Sequence, residues 1–584
     1  MKKTIFIILF TLLSIAQTSP DILPKDLKFY IYYLASDELE GRFTGSKGEQ
    51  LAADFIKNHY QKLELKPLFN DSYFQEFDVL TKIEVEQNNY LNFRISKEII
   101  NAKLYQDFIP LSISDNMNNN NQEIVIAGFG ISTKEYDNLK DINLQNKLVI
   151  IFDDVPEKYE KNRNFNFDTR TKIKFLIDKG AQNIAIIRYP NDLQTKLPKK
   201  IKLDMSPVYK GRSIILLHPE FAKNIFAKAN ILYDTLYQSY KKLNNEKSLV
   251  IKNIALEKSS VELKRINSKA KNVAALLPNS QSDEYIVIGA HYDHLGWGEF
   301  NSLYQNDTPQ IHNGADDNAS GTAGVLELAE YFKHNPNLSK YNLVFVNFTG
   351  EELGLLGSNY FVKNSPIPMH KVKTMINMDM IGRLDSLKEL TINGTGTSSI
   401  WKGIIDSLNN FYNFKIIKVD DGYSPSDNTP FYSQNIPVLF FFTGIHSDYH
   451  RPSDDAEKIN YNGQADVLNF VKDVVAAMNN KVIDVIITPR KQESRSSFRV
   501  YVGTVPDFSY NGQGYKISNI AKNSPGEKAG IQGGDIIIKF GDIDVANIYD
   551  FTFALSKYNI GDEVEVIYIR NDQTLKTKLM LSGR

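Results

Sequence analysis

Apolar residues fall into three textures along this chain. Near the start their spacing is helical. Leu27, Ile31, Leu34 and Ala35 predict one helix, and Leu51, Phe55, Ile56 and Tyr60 predict a second over residues 49–63. Leu65-Lys66-Pro67 stops the second. Between the two, SDELEGRFTGSKGEQ (36–50) reads as a polar, glycine-containing loop. From about Val79 the pattern changes to short β-like runs such as Ile124–Ala127 and Leu148–Phe152, with NMNNNNQ (116–122) as a polar loop. Thr171–Lys179 then predicts a helix capped by Gly180, and Ile184–Ile187 a buried strand.

From Asn272 a third texture begins. Tyr285–Ala290, Leu343–Phe348, Val372–Met378 and Ile436–Phe442 are near-continuous apolar runs, the signature of strands buried on both faces. Helical patterns lie between most of them. The expected fold class is α/β, a doubly wound mixed sheet. Beyond Ile486 a last unit ends in a hairpin signal: Glu563–Arg570 alternates, Asn571-Asp572 turns, and Leu575–Leu581 returns.

A chain of 584 residues exceeds one ordinary core, so several domains are expected. A formal net charge of -1 supplies no global field for nucleic acid, so no nucleic-acid partner is expected. The absence of cysteine excludes disulfides, a thiol nucleophile and thiolate metal sites. Any metal must be held by His, Asp and Glu. Lys2 and Lys3, the apolar run Ile5–Leu13 and Ser14-Ile15-Ala16 read as a signal peptide (1–16) cleaved after Ala16. No cysteine stands there to carry a lipid, and no later stretch is apolar enough for a membrane helix. The expectation is an exported protein, periplasmic or secreted, with no membrane anchor.

The chemistry sits where the four strands end. The first runs into His291-Tyr292-Asp293-His294, and the second, after Thr349-Gly350, into Glu351-Glu352. The third runs into Asp379, and the fourth into His446-Ser447-Asp448-Tyr449-His450. Open α/β sheets bind ligands at the carboxyl ends of their strands. Between the first two strands lies NGADDNASG (313–321), with a helical pattern at Val325, Leu328, Ala329 and Phe332 behind it. Taken alone, Asp316 and Asp317 read as a helix cap. Beside four ligand-bearing strand ends they read as metal carboxylates. Five candidate ligands, His291, Asp316, Glu352, Asp379 and His450, exceed one metal's need and fit two zinc ions sharing a carboxylate. Asp316 is read as that bridge and Asp317 as fixing its geometry. Glu351 adjoins a ligand and suits a general base. Asp293 is two residues from His291 and can support its imidazole. His294, His312 and His446 read as pocket-lining or structural.

NVAALLPNS, EYIVIGAHYDHLG, NGADDNASG, TGEELGLLGS, NMDMIGR and HSDYHRPSDD closely resemble the di-zinc aminopeptidase family that also contains glutamate carboxypeptidase and the transferrin receptor. The match covers residues 272–480 together with SDELEGRFTG. The resemblance implies that His291 and Asp379 bind one zinc and Glu352 and His450 the other. It also implies that Asp316 bridges, that Glu351 is the base, that Asp293 supports His291, and that the bond between Asp316 and Asp317 is cis. SPGEKAGIQGGDIIIKFGD (524–542) resembles a bacterial PDZ domain, which takes an extended peptide by strand addition. The strand–helix–strand layout before residue 255 resembles an inserted protease-associated domain. The expected organisation is a signal peptide (1–16), an N-terminal helical part (17–80), the insert (81–255), a zinc peptidase domain (256–484) and a PDZ domain (485–584). The expected activity is release of N-terminal residues from peptides with a free amino terminus. Glutamate-carboxypeptidase-like, glutaminyl-cyclase-like and non-catalytic peptide-binding readings stay open.

Overall fold

The computed structural model describes residues 21–159, 169–201, 203–205, 208–243, 247–304, 308–486, 500–506, 514–520, 524–545, 551, 554–555, 558, 560–571 and 573–582. The segment expected to be a signal peptide, residues 1–16, lies outside them. The chain divides into two compact units, residues 1–81 with 267–491, and residues 82–266 with 492–584. Among the described residues no helix is long and apolar enough to cross a membrane.

The first unit opens with helices α1 (Pro24–Leu34) and α2 (Lys47–Lys62). Pro24 opens α1, where a missing N–H costs nothing, and Ser46 caps α2 by accepting from the Glu49 amide. The sheet contains β1 (Leu263–Leu277), β2 (Tyr285–His291), β3 (Asn342–Phe348), β4 (Val372–Met378), β5 (Glu389–Asn393), β6 (Lys415–Val419) and β7 (Val438–Phe442). Their spatial order is β1-β3-β2-β4-β7-β5-β6. The four strands expected from the apolar runs are adjacent and parallel, β3-β2-β4-β7. β1 against β3 and β5 against β7 are antiparallel, which makes the sheet mixed. Helices α3 (Gly321–His334), α4 (Leu356–Lys363), α5 (Trp401–Tyr412) and α6 (Tyr461–Ala477) complete the layers. Side chains from α1, α2, α3 and α6 join Ile286, Ile288, Phe345 and Ile376 in one buried core. A second apolar cluster, with Val287, Val344 and Phe361, also contains residues of these strands. Burial on both faces is why the strands read as unbroken apolar runs.

Residues 36–50, read as a polar, glycine-containing loop, fold partly inward: Asp37–Arg42 forms tight 3₁₀ turns, and Arg42, Thr44 and Glu49 are buried. Their polarity serves hydrogen bonds inside the protein.

Within the second unit, the insert is an eight-stranded sheet in the order 98–102, 90–95, 249–261, 117–126, 147–153, 183–188, 213–217, 108–110. NMNNNNQ is also not a loop there, because Met117–Ile126 is a strand. Asn119 and Gln122 face inward, where Asn119 donates to Ser213 and Ser259 and Gln122 accepts from Asn183. Paired amides can be buried without loss, so composition alone misread the segment. The C-terminal domain is a smaller sheet in which Glu563–Arg570 pairs with Gln573–Met580 over a core of Val502, Ile517, Ile537, Phe540 and Val566.

Candidate metal centre

The parallel strands bring the ligand-type side chains to one edge. β2 ends in His291, whose Nε2 lies 3.4 Å from Asp317 Oδ1 and 3.4 Å from Asp379 Oδ1. Glu351 Oε2 stands further off, at 3.9 Å. A second set forms beside the first. His450 Nε2 is 3.4 Å from Asp317 Oδ2 and 3.2 Å from Glu352 Oε2. Asp317 therefore offers one oxygen to each set.

This corrects the expectation for the acid pair. Asp316 turns away from both sets. Its Oδ1 accepts the Gly382 amide at 2.6 Å, and its Oδ2 lies 3.2 Å from His446 Nε2. Asp454 Oδ2 accepts the amides of both Asp316 and Asp317, at 2.9 and 3.1 Å, and so fixes the turn that points one carboxylate each way. The cis peptide bond is Asp317–Asn318, one position after the expected one.

Zinc bonds of about 2.0–2.1 Å to N and O place neighbouring tetrahedral donors about 3.4 Å apart. The four distances of 3.2–3.4 Å match that edge, and Glu351 falls outside it. His291 Nε2 and Asp379 Oδ1 are buried without a hydrogen-bond partner, as donors kept for an ion would be. The residues present fit two metal ions sharing Asp317.

Each donor is held from behind. His291 Nδ1 lies 3.2 Å from the Asp293 carbonyl and 3.6 Å from its carboxylate Oδ1. His450 Nδ1 lies 3.0 Å from the Asn301 carbonyl. Asp379 Oδ2 accepts from Ser426, which in turn accepts from Asn377. Glu352 Oε1 is 2.8 Å from His294 Nδ1, which stands 3.8 Å from Asp317 Oδ2. Such partners fix the tautomer and the angle of a ligand. His312 is spent on Ser302 and the Gln310 carbonyl.

The electrostatics follow from burial and crowding. Burial alone would depress His291, but Asp379 and Glu351 outweigh it and hold the imidazole well above its usual value. His450 is raised in the same way by Glu352 and Asp317 against burial. Burial pushes Glu351 well up, with Glu352 and Asp379 adding to it against His291. Glu352 goes the other way, because His450 and His294 overcome its burial and hold it well below the carboxylate range. Two adjacent glutamates thus differ in proton affinity through their neighbours.

The structure brings together His291, Glu352, Asp379 and His450 with Glu351 and Asp293 beside them, and leaves Asp316 out. Sequence reasoning missed Asp317 as the shared acid, together with His294 and Ser426. No spacing rule separates two adjacent aspartates in a turn. His294 lies three residues from His291, off the strand alternation that linked Asp293 to it.

Residues 272–475 match the model of Peptidase family M28, and residues 489–581 match that of a PDZ domain. Aminopeptidase YwaD of Bacillus subtilis is 28% identical over 205 residues, covering 33% of this chain and 41% of the relative. A probable zinc metalloprotease of Pyrenophora tritici-repentis is 39% identical over 110 residues, 19% of this chain and 24% of the relative. A probable leucine aminopeptidase of Arthroderma otae is 26% identical over 245 residues, 39% and 64% of the two chains. The chain thus spans less than two thirds of the length of these curated relatives. Among solved structures, a zinc aminopeptidase from Bacillus subtilis is 21% identical with a TM-score of 0.48, over 81% of this chain and 100% of that one.

Proposed function

From the premise that this chain carries a peptidase family M28 domain and a PDZ domain, we propose that it is an exported zinc-dependent aminopeptidase that releases N-terminal residues from peptides. The observation that carries this reading is the pair of donor sets joined by Asp317, with Glu351 beside them and outside the coordination distance. His291, Asp379 and Asp317 would hold one zinc, and His450, Glu352 and Asp317 the other. Such a pair supplies Lewis acidity to a scissile carbonyl and makes a bound water more acidic.

The residues around the pair do the rest. Glu351, pushed up by burial, takes a proton from the attacking water and returns it to the leaving amine. Its amide is fixed by Asp293 Oδ1 at 3.2 Å, which keeps its backbone from drifting off the metal edge. Asp293 orients His291 through the carbonyl contact. His294 holds one oxygen of Glu352 and leaves the other to the metal. The free amino terminus of the substrate is the group an acid-rich site receives best. The PDZ domain would add an extended peptide to its sheet edge. Export rests on the basic and apolar pattern of residues 1–16.

The discriminating experiment is a profile of residues released from a peptide library, with amino-blocked and carboxy-blocked controls. The expected result is sequential release from free amino termini, unaffected by carboxy-blocking and abolished by amino-blocking. Release from amino-blocked peptides would favour a carboxypeptidase. Release from neither would leave a peptide-binding protein.

A further inference from the structure

The segment Gly41–Thr44, far from the donor loops in sequence, is threaded through them. Arg42 is fully buried. Its Nε donates to the Tyr292 carbonyl at 2.8 Å, and its Nη2 to the Gly314 carbonyl at 3.0 Å. Its Nη1 donates to the Asn313 carbonyl at 2.7 Å and to the Leu34 carbonyl. Tyr292 directly follows His291, and Asn313-Gly314 leads into Asp317. In return the Arg42 carbonyl accepts the His294 amide at 3.2 Å, and the Gly41 carbonyl accepts the Gly296 amide at 3.0 Å. Thr44 Oγ1 donates to Asp293 Oδ2 at 2.9 Å, and Asp293 Oδ1 accepts the Glu351 amide. Four consecutive residues therefore bind the loop of His291 and His294 and the loop of Asp317. Through Asp293 they also reach the loop of Glu351 and Glu352.

The backbone here is unusual in a way that fits this use. Glu40, Gly41 and Arg42 all have positive φ, at 46, 70 and 51°. Runs of left-handed residues persist only where the surroundings over-determine them, and they gather at functional sites. At Gly41 a Cβ would lie 2.5 Å from the His312 carbonyl and 2.6 Å from that of Gly296, so only glycine passes. Burial pulls the Arg42 guanidinium down to about 10, with Asp293 and Asp317 resisting, so it stays charged at neutral pH. Burying a cation solely to fill space is costly, and an apolar side chain would do that better. What the guanidinium supplies is a rigid fork that meets carbonyls from three segments at fixed angles.

We infer that Arg42 and Thr44 are positioning residues that set the spacing of the two metal subsites by tying the loops of His291, Asp317 and Glu351 to one buried segment. The inference rests on the two-metal reading above. Its test uses the full chain, stripped of metal and titrated with zinc against a chromogenic chelator, as wild type, Thr44→Val and Arg42→Lys. The variants are expected to bind zinc about 10–100-fold more weakly, the range for residues behind metal ligands. Their cobalt-substituted absorption is expected to shift, while metal-free Thr44→Val keeps its Tm to within a few degrees. A purely structural role would lower the metal-free Tm and leave zinc affinity and the cobalt spectrum unmoved. Weaker zinc binding in either folded variant supports the inference, and wild-type affinity in both overturns it. Should Arg42→Lys fail to fold, Thr44→Val decides alone. A wild-type chain that takes up fewer than two zinc ions overturns the two-metal reading and this inference with it. Unchanged variants of a two-zinc chain overturn the inference alone.

Discussion

Asp317→Asn is expected to remove the metal pair and lower turnover by about 10³-fold or more, beyond the roughly 10–100-fold typical of residues that only support a ligand. Asp316→Asn, one position away, is expected to stay within about tenfold of wild type. The contrast follows from where the two carboxylates point. Asp317 gives one oxygen to the set of His291 and the other to the set of His450. An amide cannot offer two anionic oxygens, so on the two-metal reading both ions would lose a shared ligand. Asp316 uses Oδ1 to accept the Gly382 amide, and an asparagine oxygen can accept that bond equally. Only its charge toward His446 is lost. Zinc content and kcat/KM measured on both variants check this. Loss of zinc in Asp316→Asn with a near-normal Asp317→Asn would restore the assignment that the sequence suggested.

Glu351→Gln carries the second large effect. Turnover is expected to fall about 10²-fold or more, the usual worth of a positioned base, with zinc content unchanged. Glutamine keeps the shape and the backbone contact to Asp293, but it cannot take a proton. Glu351 Oε2 lies 3.9 Å from His291 Nε2, beyond a coordination edge. Its loss should therefore separate metal binding from chemistry. Measuring kcat beside zinc stoichiometry decides the point. Near-normal kcat would remove Glu351 from the base role, and lost zinc would make it a ligand.

The sequence made the frame legible because the physics there is periodic. Strands buried on both faces leave unbroken apolar runs, and Tyr285–His291, Asn342–Phe348, Val372–Met378 and Val438–Phe442 lie within two residues of the runs that predicted them. The strand ends then yielded His291, Glu352, Asp379 and His450 as neighbours. What stayed hidden depends on turns and on distant chain. Asp316 and Asp317 are the same residue type in consecutive positions, and Asp454, 137 residues beyond Asp317, sets which one faces the centre. His294 reaches Glu352 by the course of its loop after β2 has ended. Arg42 and Thr44 looked like loop residues because polarity usually marks solvent. Here it marks carbonyls and a carboxylate 249–272 positions away that need donors. NMNNNNQ misled for the same reason.

The central claim, hydrolysis by a pair of zinc ions sharing Asp317, is tested most directly by titrating the metal-free chain with zinc while following hydrolysis of an aminoacyl reporter. The account predicts that activity is absent without zinc and reaches its plateau at two equivalents per chain. A plateau at one equivalent, or activity that ignores zinc, would contradict it.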